Sequence, residues 1–345
     1  MSIIIGLLII AIGAFCQSSC YVPINKIKEW SWESYWIVQG VFAWLIFPFL
    51  GALLAVPSGH SLMELFAQAP SFNVWMTVFF GVLWGVGGLT FGLSMRYLGV
   101  ALGQSIALGT CAGLGTIMGP VLLNVYFPEQ KPLESLTAAV IIGVVVTLIG
   151  IAIIGLAGHM KAQSLSEEEK KKAVKDFNFP KGILIALLAG FMSGCFNVGL
   201  EFGKDIHFGD LTDPMYSTLP ATLLVTLGGF CTNAVYCFYQ NSKNCTWSDY
   251  SKGSLWGNNI LFCALAGLLW YSQFFGLSLG KGFLTESPTL TTFAFCILMA
   301  LNVVFSNVWG IILKEWKGCS SKTITVLVIG IVVLIVSTFV PELLK

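Results

Sequence analysis

The chain has 345 residues, 56% of them hydrophobic and 10% charged, a mean hydropathy of +0.83 and a formal charge of +1. This is more apolar surface than a soluble core of that size can hide, and its charges sit in short gaps between apolar stretches of about 20 residues, the length a helix needs to cross ~30 Å of hydrocarbon. A soluble enzyme is excluded; the net charge says nothing about nucleic acid, because the positive charge is spread over five loops, and no nucleic-acid partner is expected.

Ten spans are predicted in chain order: 2–22, 35–56, 73–95, 99–124, 135–158, 181–203, 214–240, 255–279, 289–313 and 323–341. Lipid offers no partner for a free amide, so each must close its own hydrogen bonds as a helix. The stretches are uniformly apolar rather than alternating, which excludes an outer-membrane barrel. The first run lacks a basic leader and a small-residue cleavage site, so it reads as a helix and not a signal peptide. Pro57, Pro128, Pro180 and Pro214 fall at span ends, where a missing N–H costs least, and Pro120 is predicted to kink the fourth span. The stretch 159–180 is polar, with Glu167-Glu168-Glu169 followed by Lys170-Lys171-Lys172. It reads as a short solvated helix in a cytoplasmic linker. The ten cysteines show no CxxC or His–Cys metal spacing and read as small apolar fillers, with Cys245 and Cys319 free and reduced.

Of the 18 basic residues, 14 follow odd-numbered spans, among them Lys26, Lys28, Arg96, Lys161, Lys243 and Lys314. The other face holds Lys131, Lys204, Lys281 and Lys345. Basic loops stay in the cytoplasm, so both termini are expected outside.

The two halves echo each other. Gly81-Val82-Leu83-Trp84 matches Gly267-Leu268-Leu269-Trp270, Gly92-Leu93-Ser94-Met95 matches Gly276-Leu277-Ser278-Leu279, and Ile142-Gly143-Val144-Val145-Val146 matches Ile329-Gly330-Ile331-Val332-Val333. Five spans per half is odd, so the second copy inserts upside down. Inverted repeats are the architecture of alternating-access carriers. The expected organisation is an all-α polytopic membrane protein of ten transmembrane helices: a five-helix repeat over 1–158, the linker 159–180, and a second repeat over 181–345.

Four strings carry a resemblance: Trp30-Ser31-Trp32-Glu33, Met95-Arg96-Tyr97-Leu98-Gly99, Trp270-Tyr271-Ser272-Gln273-Phe274-Phe275 and Leu313-Lys314-Glu315-Trp316. In that order, and from about Tyr21 to the last span, the chain resembles the L-rhamnose–proton symporter family of the drug/metabolite transporter superfamily. The resemblance implies a ten-helix carrier in the bacterial inner membrane coupling proton entry to uptake of a 6-deoxyhexose such as L-rhamnose or L-fucose, and with the basic-residue split it puts both termini in the periplasm.

A neutral sugar offers hydroxyls and an apolar ring face, so its site needs amides, hydroxyls and an aromatic platform. Span eight supplies these in Trp270, Tyr271 and Gln273, and Trp84 is the repeat mate of Trp270. Gln17, Gln104, Asn197 and the stripe Asn302, Ser306, Trp309 add polar groups on four further spans. Each has a plain alternative as polar glue between helices. None of the three histidines is deep in a span, so the proton falls to carboxylates. Glu201 is the most embedded, four residues beyond Asn197 and on the same helix face; an ion pair with Lys204 is its structural alternative. Glu33, at the cytoplasmic end of span two, is the second candidate and reads equally as a solvated anchor. Arg96 is a candidate inner gate or a basic anchor. There is no HExxH, GxSxG or Walker loop, so no catalytic residue, metal or cofactor is expected, and uphill transport needs an ion gradient. An exporter or exchanger of other small metabolites on the same fold is the alternative; a polytopic enzyme or sensor is a remote one.

Overall fold

The computed structural model describes residues 2–98, 100–164, 179–314 and 316–344, so the interior of the charged linker and its acidic and basic triplets lie outside the described residues. The described chain is helical throughout. Its long helices are α1 (Ser2–Ser19), α2 (Trp32–Leu53), α3 (Ser71–Leu98), α4 (Val100–Tyr126), α5 (Ala138–Gln163), α6 (Phe179–Phe202), α7 (Leu219–Asn244), α8 (Gly253–Phe283), α9 (Pro288–Ile312) and α10 (Ser321–Ser337). Among the described residues nine helices are long and apolar enough to cross a membrane; α10, equally apolar, has 17 residues and is shorter.

Boundaries follow local chemistry. Thr137 and Ser320 cap α5 and α10, their hydroxyls accepting from the amides of Val140 (3.3 Å) and Thr323 (3.2 Å). Pro120 lies inside α4, which remains a single helix. The α7 helix begins at Leu219, not at 214, because the chain turns at Pro214 and re-enters with Pro220 in the first helical turn. Helix α2 begins at Trp32 with Ser31 extended at its N-cap, and it is not uniform. Residues Val41–Ile46 form a π-helical turn in which the Phe47 amide reaches back five residues to the Phe42 carbonyl. All ten cysteines are free.

The chain divides into two compact units, Met1–Gly85 with Phe202–Phe283, and Val86–Glu201 with Leu284–Lys345. In the first, α1 packs along α8 and α2 packs on α7 and α8. Small residues let the backbones approach, which is how helices associate where lipid is as apolar as leucine. A Cβ on Gly13 would lie 2.9 Å from the Ser272 carbonyl oxygen, and one on Gly267 would lie 2.8 Å from Phe42. In the second unit, α5 packs on α4 and α10, and α9 packs on α4. Leu334 of α10 fills the groove left by Gly150, and the Thr147 hydroxyl donates to Ser337 at 3.0 Å.

Candidate functional site

In the first unit, three indoles from three helices meet. Trp84 (α3) and Trp270 (α8) lie 5.6 Å apart at 36°, and Trp44 (α2) stands edge-on to both, at 5.9 Å and 88° to Trp84 and 6.0 Å and 83° to Trp270. Trp36 adds a fourth ring, 5.7 Å from Trp44, and its Nε1 donates to Asn233 Oδ1 at 3.0 Å. Trp84 and Trp270 keep part of their surface exposed. Such rings present apolar faces with a positive edge, the platform on which a pyranose can stack.

On the helices that carry Trp44 and Trp270 sit buried polar atoms with nothing to bond. Gln39 is 2% exposed and its Oε1 has no partner; Trp44 is 3% exposed and its Nε1 has none; the Tyr271 hydroxyl, 4% exposed, is likewise unpaired and lies against Gly51. Buried polar atoms are nearly always paired, so three such atoms on two neighbouring helices require an explanation. Gln273, two residues on from Tyr271, is also buried, and its Nε2 donates to the Trp270 carbonyl at 3.1 Å. Gln17 is half-buried four residues beyond Gly13, whose missing side chain lets α1 approach Gln273, so it lies on the α1 face toward α8.

The other sugar-contact candidates lie in the second unit. Asn197 is 2% exposed; its Nδ2 donates to the Gly115 carbonyl of α4 at 2.9 Å while its Oδ1 has no partner. Glu201, one turn on, is half-buried against Gly119, where a Cβ would come within 2.6 Å of the Glu201 Cγ. The pair Asn197 and Glu201 on α6 thus meets Gly115 and Gly119 on α4, both spaced i,i+4. Asn302 is 6% exposed on α9, and Ser306 follows one turn later. The side chains of Gln104 and Arg96 lie outside the described residues.

Glu33 is not the solvated anchor its position suggests. It is 6% exposed, and its Oε1 accepts from Asn244 Nδ2 and Thr246 Oγ1, both at 2.9 Å. Beside it Asp249, also 6% exposed, accepts from the Ser31 amide at 2.8 Å and lies 2.9 Å from the Ser34 hydroxyl. Burial alone would push the Asp249 carboxyl up, but hydrogen bonds from Ser31 and Ser34 and the nearby Lys252 outweigh it and hold it below the usual carboxylate range. The α2 N-terminus is therefore clasped to the end of α7 and the turn after it.

The sequence passed over Gln39, Trp44 and Trp36, although Gln39 interrupts the apolar run 35–56 just as Gln273 interrupts span eight. A cavity of about 520 Å³ between α4 and α5, walled largely by apolar groups including Leu148, Ile151 and Leu156, contains none of the candidates. Among the described residues no three His, Cys, Asp or Glu side chains are grouped to hold a metal ion.

This arrangement has relatives. The model of the L-rhamnose-proton symport protein family matches residues 1–343. The L-rhamnose-proton symporter of Citrobacter koseri is 33% identical over 336 residues, covering 94% of this chain and 93% of the relative. Those of Yersinia pestis and Yersinia pseudotuberculosis are 32% identical over 344 residues, covering 97% and 96%. These relatives are named as transporters, not as enzymes. A match that runs unbroken through every helix above places the chain in that family: it belongs to the L-rhamnose-proton symport family.

Proposed function

We propose that this protein imports L-rhamnose, or a closely related 6-deoxyhexose such as L-fucose, together with a proton, by alternating access across the bacterial inner membrane. The observation that carries the reading is the indole cluster of Trp44, Trp84 and Trp270, with unpaired buried polar atoms of Gln39, Trp44 and Tyr271 on two of the same helices. A deoxysugar brings the matching chemistry, a methyl group and ring face for the indoles and hydroxyls for the polar atoms. The names of the relatives support the same substrate and coupling ion.

The ten-helix inverted repeat is supported by the packing pattern. Helix α2 packs on α7, α4 on α9 and α5 on α10, each five places on in the order. Helix α1 packs on α8, and its counterpart pairing is met where Gly87 of α3 admits Met192 and Ser193 of α6. Exchanging the two halves leaves this set of neighbours unchanged, as a pseudo-twofold repeat requires. The basic-residue bias supports cytoplasmic odd-numbered connections, including the linker, and periplasmic termini. Glu201 is the first choice for the proton carrier and Glu33 the second; Arg96 serves as the inner gate.

Proteoliposomes test the whole reading. With an imposed inward pH gradient, labelled L-rhamnose accumulates above equilibrium, and a protonophore abolishes the excess. Gradient-independent exchange of other metabolites without accumulation of any 6-deoxyhexose would mark an exchanger on the same fold and reject symport.

A further inference from the structure

The π turn of α2 is a local departure in an otherwise regular helix. Short π-helical segments are rare and cluster at functional sites, because widening one turn costs hydrogen-bond geometry that packing alone seldom demands. Here it spans Val41–Ile46 and contains Trp44, and Gln39 stands just before it. On an α-helix residues three and four apart share a face. Gln39 is the second-last residue of the α-helical stretch Trp32–Gly40, and Trp44 lies within the π turn that follows it. The Trp44 ring also folds back over this turn, since a Cβ on Gly40 would come within 2.5 Å of two of its carbons.

The two side chains are complementary and unused. Gln39 Oε1 is an acceptor and Trp44 Nε1 a donor, each on a residue at least 97% buried and each without a partner. The packing around them is otherwise fitted. Gly267 of α8 seats the α2 backbone at Phe42 and Ala43, and the Cys263 thiol reaches the Tyr35 carbonyl at 3.7 Å. Interhelical glue does not explain the pair, because glue is bonded. A hydroxyl does: it donates one hydrogen bond and accepts others, so it satisfies an acceptor and a donor at once.

Resting on the sugar-carrier reading above, we propose that the π turn of α2 is the hydroxyl-reading element of the sugar site, with Gln39 Oε1 accepting from and Trp44 Nε1 donating to the hydroxyls of the bound 6-deoxyhexose. The indoles of Trp84 and Trp270 supply affinity for any pyranose of this size; Gln39 and Trp44 supply the choice among stereoisomers. A site built to bond a hydroxyl rejects the analogue lacking it, since its own buried atoms are left bare.

The experiment measures binding of L-rhamnose, and of the analogues in which each hydroxyl is removed in turn, to the purified protein and to Trp44→Phe and Gln39→Met. Trp44→Phe keeps an aromatic ring and removes the N–H; Gln39→Met keeps the length and removes the amide. Each variant is expected to lose on the order of 5- to 100-fold for L-rhamnose, and to lose little for the one analogue whose missing hydroxyl it reads. Gln39→Met should melt no lower than the parent, because an unpaired acceptor has been replaced by an apolar group. Equal losses for every analogue, or unchanged affinities throughout, overturn the assignment, as does a lowered melting temperature in Gln39→Met. If the parent protein binds no 6-deoxyhexose, the carrier reading itself fails, and the two failures are thereby distinguished.

Discussion

The two units are built from the same kind of helix but spend their side chains differently. Of the eleven tryptophans only Trp309 and Trp316 belong to the second unit; the rest belong to the first. The first unit holds large rings against each other and leaves Gln39, Trp44 and Tyr271 with unused polar atoms. Both units close on small residues: Gly13 and Gly267 do so in the first, and in the second Gly115, Gly119 and Gly150 receive Phe295, Glu201 and Leu334. The second unit's Asn197 spends its N–H on Gly115 and leaves its Oδ1 without a partner. The proposed sugar site lies in the first unit, and Glu201, the proposed proton carrier, lies in the second. On this view the first unit recognises and the second couples.

The largest expected effect lies in the second unit. Glu201→Gln imitates a carboxyl that never releases its proton. Accumulation driven by a pH gradient should be abolished while sugar counterflow persists, since exchange needs no proton turnover. Accumulation at the parental level would move the coupling role to Glu33 and dissolve the division of labour. Next in size, Trp84→Ala and Trp270→Ala remove the stacking platform. By analogy with base stacking on aromatic side chains, worth ~1–3 kcal/mol per ring, affinity for L-rhamnose should fall on the order of 10- to 100-fold. Isothermal titration that finds parental affinity in both variants would turn the indole cluster into mere packing. The smallest effect sharpens the boundary. Asn197→Ala forfeits its bond to Gly115 and should lower stability by ~1–2 kcal/mol in thermal unfolding, with sugar affinity within about twofold. A tenfold loss of affinity there would show that recognition extends into the second unit.

How much of this was legible in the chain depends on the range of the force involved. Helix positions were legible to within about five residues, because a helix long enough to cross lipid is marked by its local apolar length. The start of α2 was less so. Glu33 looks too costly for a buried helix start until Asn244 and Thr246, more than 200 residues downstream, supply its hydrogen bonds. Trp84 and Trp270 were legible because they close matching strings, Gly81-Val82-Leu83-Trp84 and Gly267-Leu268-Leu269-Trp270. Trp44 has no such echo, and the π turn that holds it leaves no compositional mark. The division into units was illegible for the same reason: each gathers helices from both halves of the chain, and contacts between distant segments are not written in any local pattern.

The pairing of α1 with α8 has a consequence for synthesis. The glycine-lined face of α1 that receives Gln273 and Gly276 is made well before α8, which begins only at Gly253. At ~5–20 residues per second, α1 resides in the bilayer for roughly 10 to 50 s before its main neighbour exists. Throughout that interval its stripe of small residues, Gly6 and Gly13 among them, is exposed to lipid and to any other helix nearby. Docking of α1 on its main neighbour thus waits until α8 has followed it from the ribosome.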